Sequence, residues 1–84
     1  MNDRTNKLAQ SYIVDKFFVS TAYRRASTPD EIWYYETIVW SWNRETKKRG
    51  EIIITRDAGT FYEQAAKCHF EVCVSLIYGE FEVD

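Results

Sequence analysis

The sequence predicts a small α+β domain: a three-stranded antiparallel β-meander with one C-terminal amphipathic helix packed on one face (βββα). Three observations carry this reading. Stretches rich in β-branched and aromatic residues alternate at a period of two over residues 15–24, 32–42 and 51–56. Polar or proline-containing segments separate them, at lengths that make sequential strands antiparallel neighbours. A capped helical pattern then follows over residues 61–78. With 84 residues, the chain makes one domain, 1–84, and is too short for two independent cores.

Met1–Gln10 is polar and expected to be frayed, although Leu8 and Tyr12 at i, i+4 would allow a short N-terminal helix. The first strand, residues 15–24, places Phe17, Val19, Thr21 and Tyr23 on one face. Ala26 to Asp30 contains the sole proline, Pro29, and suits a turn. The second strand holds all three tryptophans. Residues 43–50 read as a polar hairpin loop ending at Gly50, where a left-handed backbone costs little. The third strand runs to Arg56. Thr60 and Glu63 match a capping box: the threonine hydroxyl would accept from the Glu63 N–H while the carboxylate reaches back to the N–H of Thr60. Gly79 suits the C-terminal cap. On a helical wheel Tyr62, Ala65, Ala66, His69, Val72, Cys73, Leu76 and Ile77 share one face, which is expected to lie on the sheet. Glu80–Asp84, with apolar residues at alternate positions, would add a short edge strand.

Apolar residues at 45% and charged residues at 29% match a folded globular chain rather than a disordered one. The net charge of −2 is unevenly spread: residues 1–30 carry +2, residues 31–60 zero and residues 61–84 −4. An acidic C-terminal stretch repels phosphate backbones. No secretory or transit pattern opens the chain and no apolar run is long enough to span a bilayer. Cys68 and Cys73 project about 140° apart on a helix and so cannot bridge within it. The protein therefore reads as cytoplasmic with reduced thiols.

Candidate chemistry is sparse. His69 is the single histidine; with Cys73 it offers two ligands on one helix face, whereas zinc wants three or four. The simpler reading packs His69 at the helix–sheet interface, with a ring nitrogen bonded to a backbone group or a tyrosine. Ser20, Ser41, Cys68 and Cys73 are nucleophile types without a recommending spacing. The carboxylates Glu36, Glu45, Glu51 and Glu63 form no recognisable pair, and three isolated glycines make no phosphate-cradling loop. The expectation is no enzyme, no metal and no cofactor.

Binding is better represented. In the tryptophan-rich strand, Trp33, Tyr35, Thr37, Val39 and Ser41 point one way, and Tyr34, Glu36, Ile38, Trp40 and Trp42 the other. One helix covers one face. The first set carries no charge and suits the helix; Glu36 in the middle of the second would be costly beneath it. Tyr34, Glu36, Trp40 and Trp42 are thus expected to face outward and bind a protein, with the acidic Glu80, Glu82 and Asp84 competing for a nucleic-acid-binding groove on that partner. Cover by the N-terminal segment through Leu8, Tyr12 and Ile13, or by a second copy in a symmetric homodimer, would account for the same face. The alternative is a single-stranded nucleic-acid binder in which Trp40 and Trp42 stack bases beside the basic loop of Arg44, Lys47, Lys48 and Arg49. The βββα order with a basic hairpin resembles part of a double-stranded-RNA-binding domain, but that family's basic residues open the last helix, where this chain has Glu63 and Gln64.

Tyr35-Glu-Thr-Ile-Val-Trp40, the Arg49-Gly50 step and a helical His69 together resemble small uncharacterised accessory proteins of bacteriophage and prophage genomes. The likeness covers the middle and C-terminal parts and transfers no site. It implies a small protein acting in the bacterial host's cytoplasm that binds and blocks a host component, including CRISPR effectors and other anti-phage defences.

Overall fold

The computed structural model describes residues 7–25 and 33–79. Among the described residues, four strands, β1 (Lys7–Ile13), β2 (Phe17–Arg25), β3 (Trp33–Asn43) and β4 (Lys48–Asp57), precede the helix α1 (Tyr62–Tyr78). The strands form one antiparallel sheet in sequence order, β1-β2-β3-β4. The helix lies across β1, β2 and β3 on one face.

The α+β meander with a C-terminal helix is as expected, but the sheet has four strands rather than three. The extra one, β1, replaces the N-terminal helix that Leu8 and Tyr12 allowed, and takes residues 7–10 out of the expected frayed segment. The outer edge of β2 would otherwise present unpaired backbone groups, and pairing with it outweighs a weak local helical spacing. The turn hides in the sequence. Val14 and Asp15 both adopt positive φ, 48° and 58°, and the Lys16 N–H donates to the Ile13 carbonyl at 3.0 Å. This is the backbone of a tight hairpin turn, without the Asn-Gly pair that normally announces it. The first predicted strand accordingly starts at Phe17 instead of Asp15.

The hairpin between β3 and β4 also differs. Lys47, with φ 57°, takes the left-handed position expected of Gly50. Gly50 lies inside β4, where a Cβ would collide with the Ser41 Oγ. That oxygen accepts from the Glu51 N–H at 3.1 Å. Further along, Val39 pairs with Ile54 but Trp40 with Ile52, so β4 carries a bulge at Ile53. The bulge lets Ile53 and Ile54 both pack against the core under the helix.

The core comprises Ile13, Val19, Val39, Val72, Cys73 and Leu76, with Phe17, Ile53, Ile54 and Cys68 against it. The uncharged face of β3 therefore belongs to the helix, as its lack of charge implied. The helix starts one residue later than a Thr60 cap would place it. An Asp57 Oδ1 bond to the Gly59 N–H (2.8 Å) shapes the approach. Gln64 then sits at the third helical position, its Oε1 accepting from the N–H groups of Thr60 and Phe61 at 3.2 Å each. Phe61, the N-cap, has no acceptor of its own, so only half of a capping box forms. Gly79 ends the helix in the left-handed conformation, φ 70°. The proposed turn at Ala26–Asp30 and the edge strand at Glu80–Asp84 lie outside the described residues.

Candidate functional site

The face of the sheet opposite α1 carries a cluster of rings that alternation along three strands assembles. Tyr12 of β1, Phe18 of β2 and Trp40 and Trp42 of β3 share this side. Phe18 sits at the centre, 5% exposed, with ring centroids 5.0 Å from Tyr12, 5.6 Å from Trp40 and 6.0 Å from Trp42. Tyr12 meets Trp42 edge-on at 4.8 Å. Offset and edge contacts of this kind add to the burial of the rings themselves. From β4, the Arg49 guanidinium lies over Trp40 at 4.6 Å and near Phe18 at 5.8 Å. Tyr12 and Ile52, at 60% and 58% exposure, are the apolar groups that this face offers most openly.

Of the residues expected to face outward, Trp40 and Trp42 are brought together here. Tyr34 and Glu36 lie on the same face toward the opposite end of β3. Glu36 is not an isolated charge, since its carboxylate meets the Arg24 Nε at 3.3 Å. Glu80, Glu82 and Asp84 lie outside the described residues. Tyr12 comes from the N-terminal segment that the sequence offers as one cover for this face, and it joins the cluster as part of β1. Sequence reading missed Phe18 and Ile52: Phe18 was legible as the alternate residue of its own strand, whereas Ile52 required the β4 bulge.

The basic loop is only partly free for phosphates. Arg49 is engaged with the rings, and Arg44 donates to Asp15 Oδ2 across the two hairpin tips at 3.3 Å. Lys48, with Lys16 and Trp42, lines an open groove of about 680 Å³ between those tips. A different ring group, Tyr23 with Trp33 (4.9 Å, stacked) and Tyr35 (4.7 Å), occupies the helix side of the sheet near the start of α1.

The second concentration of polar groups lies beneath the helix. His69, 7% exposed, has its Nδ1 2.8 Å from Thr21 Oγ1 and its Nε2 2.9 Å from Ser11 Oγ. Thr21 Oγ1 is 2.7 Å from Thr37 Oγ1, and the Thr37 hydroxyl donates to Cys68 Sγ at 3.7 Å. The whole chain is satisfied when Nδ1–H donates to Thr21, Thr21 to Thr37, and Ser11 to the Nε2 lone pair. His69 is thus interfacial, as expected, but held by hydroxyls rather than by a backbone group or a tyrosine. Cys68 reaches the interface instead of pointing away.

Burial holds the His69 pKa below its ordinary value, so the ring is neutral near pH 7. Burial pushes the Cys73 thiol up, against a smaller opposing effect of its hydrogen bond with Ser11. Both His69 nitrogens are occupied by hydroxyls, and no group of three or more His, Cys, Asp or Glu converges among the described residues. A serine on a neutral imidazole resembles the first contact of a nucleophilic pair. Here, however, Nδ1 faces Thr21 where a carboxylate would stabilise the imidazolium formed in acyl transfer. The network can orient the helix on the sheet; its parts match that task.

No helix among the described residues is long and apolar enough to cross a membrane. Comparisons with protein-family models, with curated proteins and with solved structures find no match.

Proposed function

We propose that the chain is a non-enzymatic interaction module that docks a protein partner on the aromatic face of its sheet. The observation that carries this reading is the Tyr12, Phe18, Trp40 and Trp42 cluster on the face opposite the helix. Large rings with an arginine at their rim make the composition favoured at the centres of protein interfaces. The rings pack edge-on and at a tilt against each other, and Arg49 covers Trp40. That leaves ring edges and aliphatic surface for contact rather than open parallel faces for bases. The likeness to phage accessory proteins makes a host defence component, such as a CRISPR effector, the first partner to try, with inhibition as the outcome.

The test uses Tyr12→Lys and Ile52→Lys, which place charge at the two most exposed apolar positions of this face and leave Phe18, Trp40 and Trp42 in place. In bacteria carrying an active CRISPR effector, the wild-type chain should restore phage plating and the double variant should not. Circular dichroism would verify that the variant folds. Equal activity of the two proteins would remove the aromatic face from the mechanism. Failure of the wild type would remove this class of partner.

A second reading, a single-stranded nucleic-acid binder, is favoured by one observation: Trp42 lines the groove between the hairpin tips together with Lys16, Arg44, Lys48 and Arg49. It requires tryptophan quenching by oligonucleotides with an affinity that falls steeply with salt. No quenching at low salt would dismiss it.

A further inference from the structure

We propose that the chain forms a two-fold symmetric dimer in which β1 pairs antiparallel with β1 of a second copy, joining two sheets into one of eight strands. The two edges of the sheet differ in how they are guarded. β4 carries five charged residues, Lys48, Arg49, Glu51, Arg56 and Asp57, and two register irregularities. Such features discourage edge-to-edge pairing. β1 carries one charge, Lys7, no proline and a single register irregularity confined to its first residues, between Lys7 and Ala9, and among the described residues it is an end strand of the sheet.

The helix is apolar on the same side. Tyr62, Ala66, Phe70 and Ile77 form a stripe along its flank; Tyr62, Phe70 and Ile77 are 61%, 68% and 54% exposed. A cleft of about 270 Å³ between this flank and β1 is lined by Leu8, Ala9, Tyr62 and Phe70. A two-fold axis perpendicular to the sheet brings a matching strand to β1 and a matching apolar flank to α1 in one operation. A lone peptide would satisfy the strand edge but leave Phe70 and Ile77 without a helix opposite them.

The sequence of β1 is self-complementary about Gln10. In the register that centres the axis there, Ala9 faces Ser11 of the second copy, and the two Gln10 amides face each other, clear of the irregularity between Lys7 and Ala9. No like charges meet, and the small residues lie on the helix side, where the two helices must approach. Both aromatic faces then lie on one side of the continuous sheet. This dimer stands independently of any foreign partner on that face.

Sedimentation equilibrium on the full chain, together with cysteine cross-linking, tests the geometry. Gln10→Cys places two thiols opposite each other across the axis, at Cβ separations of about 4.5–5.5 Å, and mild oxidation should yield a covalent dimer. Lys7→Cys should not. Phe70→Glu and Ile77→Glu, both at exposed positions, should each weaken self-association by roughly thirtyfold or more while leaving the circular dichroism unchanged. A protein that stays monomeric at all accessible concentrations overturns the proposal. So does a dimer that is indifferent to Phe70→Glu and gives no Gln10→Cys cross-link. Pairing of residues 80–84 with β1 within a monomer, revealed by faster exchange of the β1 amides after their deletion, would also overturn it.

Discussion

The guanidinium of Arg49 stands 4.6 Å over the ring of Trp40. The contact joins β4 to β3 across a register shift and assigns to the sheet a cation that its place in a basic loop would have offered to phosphates. A cation over an aromatic face at a partly exposed site contributes about 0.5–1 kcal/mol.

Arg49→Ala should therefore lower unfolding stability by roughly 0.5–1 kcal/mol and shift tryptophan emission, as the Trp40 ring loses its cover. Chemical denaturation followed by fluorescence would measure both. Arg44→Ala, which removes only an exposed pair with Asp15, should change stability by a few tenths of a kcal/mol at most.

Thr21 is fully buried and bridges His69 to Thr37. Thr21→Val keeps the shape and deletes the hydroxyl, leaving Nδ1 without its partner in the interior. A cost of about 1–3 kcal/mol is expected. Thr21→Ser, which retains the oxygen, should be milder. The reverse order in thermal denaturation would show that packing, not the hydrogen bond, governs this position.

The His69 pKa is depressed by burial, so the unfolded chain binds a proton more readily than the folded one. The folded state is consequently fully stable above the unfolded value of about 6.5. Stability should fall as pH drops through that value toward the lower folded pKa, and the loss from this group should level off below it. His69→Gln should flatten the pH dependence between about 7 and 5, whatever it does to overall stability. An unchanged slope in denaturant titrations would show that other groups cause it.

Val14 adopts φ 48°, a region that β-branched residues avoid. Val14→Asn should stabilise the β1–β2 hairpin by roughly 1 kcal/mol. The gain should appear in slower exchange of β1 amides as well as in the denaturation midpoint.

The sequence by itself determined the helix, its glycine stop, the strands β2, β3 and β4 and the side of β3 that the helix covers. These follow from local rules: period 3.6 over Ala65, His69, Val72 and Leu76, period two over Thr37 and Val39, and the cost of a carboxylate such as Glu36 beneath a helix. Tertiary structure alone decided β1, because its turn uses Val14 and Asp15 rather than a recognisable pair and its strand is held by β2. It also decided the hydroxyl partners of His69, which come from residues 48 and 58 positions away. The aromatic cluster stands between the two. Trp40 and Trp42 announce it in the chain, but Tyr12 joins only through β1. Strand pairing and ring contact act across space, between residues whose separation in sequence carries no signal of their meeting.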